Sequence, residues 1–313
     1  MPVVLLLFCV VGCGGKLETR TQTVDEDFSN IEVVTETADV TFVSSVDGKC
    51  MVVSNEKKRV THTATVSDGV LKIQVSDARG WFEKLFGSKM SITVYLPENE
   101  YGSLSVECDT GDVKICNALK LGDAYISTDT GDVELEGIVS QNITVNVDTG
   151  DVSLDGVKAV GKIDVKTDTG DVELESSSAS RLSVATDTGK TEIESCKADE
   201  IAVSSDTGKI SLDGVDCTLL GIDAKTANIS LERVIAEGKF DITSSTGNVT
   251  FDSCDAASVF VKTSTGDVTG NFLTDKVIFA DTSTGKIDIP KLTSGGKCEI
   301  TTSTGDIKIT VSK

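Results

Sequence analysis

The chain has 313 residues, 39% of them hydrophobic but only 4% aromatic, with a single histidine and a formal net charge of −21. Its core must come from Val, Ile, Leu, Ala and Thr, a palette suited to strands, and three prolines leave little room for extended disorder. The charge excludes phosphate backbones and anionic membranes as general partners, so no nucleic-acid role is expected; basic surfaces, cations and plain solubility all fit.

Residues 3–13, VVLLLFCVVGC, form an apolar run. A helix needs about 20 residues to span a bilayer, so the run has instead the length of a secretory hydrophobic region. It ends in Val10-Val11-Gly12-Cys13, which resembles a bacterial lipobox. That resemblance implies lipidation at Cys13, export, and attachment to the membrane at the cell surface or envelope. No Lys or Arg precedes Cys13, where such a signal carries a basic start, and the competing reading is a buried first strand. Residues 1–23 are read as signal, anchor and tether.

Residues 24–103 are read as a β-rich cap segment containing a first coil. IEVVTETADVTF at 31–42 carries apolar residues at alternate positions around Ala38, and residues 43–95 interrupt the pattern. Within that interruption Ser67-Asp68-Gly69 joins two alternating stretches as a hairpin. His62 falls in the polar stretch VTHTATV and is read as an exposed strand residue. Trp81, Phe82, Leu85 and Phe86 sit at helical spacing and are read as a cap over the first coil, which solenoids require, rather than as an exposed anchor.

Residues 104–313 repeat. A Thr-Gly turn recurs at Gly111, Gly131, Gly150, Gly170, Gly189, Gly208, Gly247, Gly266, Gly285 and Gly305, and a degenerate copy at Ala227 completes eleven copies with a period of 19–20 residues. With the glycine as position zero, positions −7 and −5 are apolar (Ile163/Val165, Leu182/Val184), as are +2 and +4 (Val172/Leu174, Ile210/Leu212). Each copy is thus two short strands around a corner. Position +7 is apolar with changed parity (Ile138, Val157, Cys196, Val215, Cys254, Leu273), so a second corner precedes it. An open meander would exceed usual sheet sizes, and membrane-barrel strands need about 9–11 residues. The expected fold is therefore all-β, a parallel β-solenoid of about eleven coils, roughly 50 Å long at about 4.8 Å per coil.

In that frame Cys196, Cys254 and Cys298 fall in inward columns as small hydrophobes. The nine cysteines form no CxxC pair and no zinc spacing, and the seven beyond the N-terminal segment are read as mostly free. Cys108 and Cys116 flank the first turn, and a disulfide between them stays open. Threonine at −1 shares the parity of −5 and −7 and is expected to point inward, as is −3, which disfavours an ice-binding Thr ladder. The last strand, in TGDIKITVSK, is expected to lack a partner, with Lys308 and Lys313 limiting weak end-to-end self-association.

Two columns of aspartate flank the turn. Position −2 holds Asp109, Asp129, Asp148 and Asp168; position +1 holds Asp112, Asp132, Asp151 and Asp171, then changes to Lys190 and Lys209. Both are expected to point outward, and carboxylates stacked at coil spacing repel and raise one another's pKa. Turn hydrogen bonds or cations must relieve this. Because the first four coils lack neighbouring lysines at +1, these eight aspartates are the expected Ca²⁺ site, against plain solvated turns.

The passage ITVYLPENEYGSLSVECDTGDVKI leading into Thr-Gly-Asp-Val repeats resembles the bacterial putative-adhesin β-strand-repeat family, a domain of unknown function, over residues 28–313. The resemblance implies a secreted or envelope-attached protein. No serine-hydrolase elbow, phosphate loop or metalloprotease motif is present, and from residue 111 onward there are only Arg181 and Arg233 and no Trp. The expected function is a non-enzymatic, envelope-attached surface β-solenoid, an adhesin-like binding or structural module with an extracellular or envelope partner. The alternatives are an accessory protein of envelope-stress sensing and, less favoured, a calcium-dependent polysaccharide-active enzyme.

Overall fold

The computed structural model describes residues 17–78, 89–116 and 119–312, and the backbone of a strand at Leu6–Cys9. Cys13, Trp81, Phe82, Leu85, Phe86 and Lys313 lie outside the described residues, and with them the expected lipidation and the expected aromatic cap. Every regular element among the described residues is a strand. The chain divides into two compact units, Met1–Gly150 and Asp151–Lys313.

In the first unit the strands are β1 (Leu6–Cys9), β2 (Glu18–Val24), β3 (Asn30–Thr35), β4 (Ala38–Ser44), β5 (Cys50–Glu56), β6 (Val60–Ser67), β7 (Val70–Asp77), β8 (Met90–Leu96), β9 (Glu100–Thr110) and β10 (Val113–Ile115). The coil around Ala38 is real: β3 and β4 stack in parallel on β9 and β10, with Ile31 opposite Leu104 and Val40 opposite Val113. The interruption also holds a coil. β7 and β8 form a further coil on the other side of β3 and β4, with Leu71 opposite Ile31 and Ile92 opposite Val40. Antiparallel strands finish this end: β6 on β7, and β5 then β2 then β1 beyond β8. The expected hairpin is β6–β7, whose turn holds Asp68 at φ 53° and Gly69 at φ 75°.

In the second unit, parallel ladders run through stacked coils, with local register shifts at Cys217/Leu219, Ala236/Lys239 and Phe251/Cys254. Val172, Thr191, Ile210, Ile229, Val249 and Val268 form one column, and Ile163, Leu182, Ile201, Leu220, Phe240 and Val259 another. These side chains fill the space between the two sheets and are buried. The second corner lies at +6, where the backbone turns left-handed in Ser176, Ser195, Gly214, Arg233 and Ser253, all with φ between 51° and 61°. Cys196, Cys254 and Cys298 are fully buried in the columns expected of them. All seven described cysteines are free, including Cys108 and Cys116, so no disulfide joins that pair. Burial pushes the Cys217 and Cys298 thiols up to about 12.

Three expectations fail here. The C-terminal strand does not end the stack. Ile307–Val311 lies between Val268–Phe272 and Ile287–Asp288, and Gly296–Thr304 lies between the 266 coil and Lys276–Thr284. The last coil in sequence is therefore inserted, and the 285 coil is outermost. The pairing of the 285 strand is short, Ile287–Asp288 before Pro290, whereas Ile307–Val311 alternates cleanly over its length. Second, Leu273 is exposed at 44%, because the ladder slips after Gly270 and Phe272 enters the Cys254 column instead. Third, threonine at −1 is exposed in every coil from Thr110 to Thr207, while −3 (Thr128, Thr167, Thr186) is buried. Positions −2 and −1 both turn outward as the chain enters the corner, so parity reverses one residue before the glycine.

Candidate functional site: the carboxylate edge

At the turn, glycine is required by stacking. Gly189 has φ 150°, and a Cβ there would lie 1.9 Å from the carbonyl oxygen of Gly170 in the coil below. Ala227 escapes because its φ is not positive. The corners thus superpose closely, which fixes the residues on either side of them at coil spacing.

The aspartates at +1 point outward as expected, but they are not idle charges. The Asp132 N–H donates to Asp112 Oδ1 at 3.1 Å, and the Asp112 N–H to Asp39 Oδ1 at 3.0 Å. In the second unit the Asp171 N–H donates to Asp151 and the Lys190 N–H to Asp171, at 2.8 and 2.7 Å. Lysine at 190 and 209 has no acceptor and interrupts the series. Asn228 restarts it, and it runs through Asn248, Asp267 and Asp306 to Lys286, following the spatial rather than the sequence order of coils. The Asp and Asn side chains in these bonds thus clamp the next coil's backbone.

At Asp112 the expected rise is reversed. Partial burial would raise the Asp112 carboxyl, but the Asp132 N–H and the Lys89 ammonium, 3.0 Å away, outweigh it and hold the group below the usual carboxylate range. Of the two forms of relief expected, turn hydrogen bonds and cations, the backbone N–H groups supply the first along this column, and Lys89 adds a cation at Asp112. At −2, Asp109, Asp129, Asp148 and Asp168 are on the surface; Asp168 pairs with Lys166 at 3.1 Å, and the later Asp206 with Lys225 at 2.6 Å. Among the described residues no group of three or more His, Cys, Asp or Glu side chains is placed to hold a metal ion. With the +1 acceptors already engaged, thermal unfolding in millimolar calcium and in chelator should give the same midpoint. A rise specific to calcium and absent with magnesium would establish the metal reading for the eight aspartates.

A third carboxylate column, not anticipated from the sequence, lies at +5. Asp155, Glu175, Glu194, Asp213, Glu232 and Asp252 stand opposite one another in consecutive parallel strands of the second unit. Its signal was present in the VELE, ISLD and ISLE segments, whose last residue has outward parity. Arg233 bridges Asp213 and Glu232. An open groove of about 560 Å³ crosses the coils past the +6 corner, with Ala179, Ala198 and Cys217 between Lys197, Asp199, Asp216 and Glu237; no aromatic lines it.

His62 is fully buried, not exposed, because it shares the parity of Val60 and Ala64 in β6. Its Nδ1 lies 3.2 Å from Glu56 Oε1 and its Nε2 3.3 Å from Thr35 Oγ1. The hydroxyl, imidazole and carboxylate stand in line, but Thr35 is 2% exposed and Glu56 5%, so no substrate reaches them. Burial would raise the Glu56 carboxyl. Hydrogen bonds from the His62 ring, the His62 N–H and the Ser54 hydroxyl outweigh it and set the group below its ordinary value. A carboxyl lowered by folding stabilises the fold above its unfolded pKa, and that contribution disappears as pH falls through the folded value. Glu56→Gln should therefore flatten the acid limb of the stability–pH profile below about pH 4.5. An unchanged limb would remove Glu56 from acid unfolding.

A family model, Toastrack DUF4097, matches residues 28–199 and 188–313, nearly all of the solenoid-forming chain. The chain belongs to this family. No curated protein matches it. Among solved structures, a putative adhesin from Bacteroides fragilis NCTC 9343 is 18% identical, covering 95% of this chain and 98% of its own, with a TM-score of 0.39. One from Parabacteroides distasonis ATCC 8503 is 15% identical over 95% and 98%, with a TM-score of 0.49. One from Parabacteroides merdae ATCC 43184 is 14% identical over 93% and 96%, with a TM-score of 0.41. The Toastrack assignment rests on the family model.

Proposed function

We propose that this Toastrack protein is a non-enzymatic, envelope-attached surface module that binds a basic partner through the repetitive acidic face of its solenoid. The observation that carries the reading is the +5 column of six carboxylates in consecutive coils on the outer face of the second unit, of which Asp213 and Glu232 share Arg233. A flat, periodic array of like charge, stiffened by parallel ladders, suits a partner with repeated positive charge, and low-dielectric protein beneath it strengthens the attraction. Supporting this, the one histidine is sealed from solvent. Attachment through Cys13 places such a face outside the cytoplasmic membrane.

Two measurements test this. Glu175→Gln, Glu194→Gln and Glu232→Gln together should reduce binding of the cells that display the protein to a polylysine-coated surface, with salt doing the same to wild type. Equal binding by the triple variant, with surface display verified, would refute the acidic face as the contact. Cys13→Ser should move the protein out of the membrane fraction; wild type already free of that fraction would refute the anchor.

A further inference from the structure

A parallel solenoid ends in unpaired backbone groups and an uncovered core unless something is laid across it. In the first unit antiparallel strands do this, β5 on β8 and β6 on β7. The 285 coil of the second unit has no such cover among the described residues. Lys276–Thr284 pairs on one side with Gly296–Thr304, and Ile287–Asp288 on one side with Ile307–Val311. Its core positions are open as a result: Ile287 is 45% exposed and Ile278, Ala280 and Ile289 are half-buried, whereas Cys298, Ile300 and Ile307 in the adjacent coil are at 0%. Phe279 adds a further 58%-exposed ring on the other sheet.

The charge at this end also differs from the rest. Apart from Lys276, which is buried against Asp255, the coil carries Asp281 and Asp288 against Lys286 and Lys291, a neutral balance in a chain of net charge −21. Here a second copy meets no local excess of like charge. The backbone is arranged to receive it. The Lys286 carbonyl accepts from the Ile307 N–H and the Lys286 N–H donates to Asp306, so residue 286 faces inward. By strand alternation Ile287 turns its own N–H and C=O to the open side.

We infer that the 285 coil is a self-complementary interface, on which a second copy of this chain stacks tail to tail with its edge strands antiparallel. Both sheets then continue across a two-fold axis, as isologous pairing requires. Pairing centred on Ile287 buries the two isoleucines against each other and joins them by reciprocal backbone hydrogen bonds. It also sets Lys286 of each copy opposite Asp288 of the other, a favourable cross-strand pair.

Sedimentation of the full chain in mild detergent, across a hundredfold range of concentration, should show a monomer–dimer equilibrium. Ile287→Lys should abolish it while leaving the circular dichroism spectrum unchanged. Lys286→Asp should weaken the dimer at least about tenfold by facing two carboxylates, and adding Asp288→Lys should recover it by reversing the pair. With Ile287→Cys, a short bismaleimide should link two copies through that position. Monomer at every concentration would overturn the proposal, whether the end is bare or covered by another segment or protein. So would association that ignores Ile287→Lys, or a reversed pair that fails to recover it.

Discussion

Gly189→Ala should cost about 3 kcal/mol or more. Where a new Cβ fits, exchanging glycine for alanine stabilises by about 0.4–1 kcal/mol through the unfolded chain. At Gly189 the sign reverses. Its φ of 150° is one that residues with a Cβ avoid, which costs about 1–3 kcal/mol, and the added carbon would lie 1.9 Å from the Gly170 carbonyl oxygen. Neither backbone can move aside cheaply, because the Gly170 N–H is held by the Thr188 carbonyl and the Gly189 N–H by the Thr207 carbonyl. Ala227→Gly is the control. That position already hosts a Cβ without positive φ, so the change should stay within about 1 kcal/mol. Chemical denaturation of both variants measures the difference. Equal midpoints for Gly189→Ala and wild type would show that the corners do not stack tightly.

Lys276→Met should destabilise the outermost coil by about 3 kcal/mol. Lys276 Nζ lies 2.5 Å from Asp255 Oδ1 and 2.6 Å from the Thr274 hydroxyl, and the lysine side chain is only 2% exposed. Methionine keeps most of the stem but leaves the Asp255 carboxylate, itself 16% exposed, without its cation. Removing one partner of a buried pair costs about 3–5 kcal/mol, and the residual exposure of Asp255 favours the lower end. Because coils of a solenoid open from their ends, the loss should be local. Hydrogen exchange over Lys276–Thr284 should accelerate by about two orders of magnitude while the coils from 170 to 247 stay protected. Adding Asp255→Asn should recover part of the protection, since the orphaned charge is then gone. Unchanged exchange in Lys276→Met would mean that the ion pair does not hold the end.

Periodicity made the repeat legible, because each coil must present the same apolar columns to the next. The inward residues at −7, −5, +2 and +4, the placement of Cys196 and Cys298, and the first coil around Ala38 all followed from counting. Parity failed where the backbone leaves the strand: threonine at −1 turns out at the corner, and Phe272 displaces Leu273 once Gly270 lets the ladder slip. His62 was misread for want of a partner. Its parity matched Val60 and Ala64, but its polar neighbours concealed that Glu56, Thr35 and Gln22 converge on it from three other strands.

What the sequence by itself determined is the repeating unit: two alternating strands, a glycine corner, and aspartate on either side of it. Those features are local, set by side-chain parity and by the φ that only glycine adopts easily, so they can be counted along the chain. The tertiary structure alone decided the order of the coils and the work of the aspartates. The last coil slips inside the 285 coil, and the coil around Ala38 lies inside β7 and β8, because coils of near-identical pattern can stack in more than one order and local spacing does not fix which. The +1 aspartates serve the backbone of whichever coil lies next in space. No reading of one coil could show which N–H that would be.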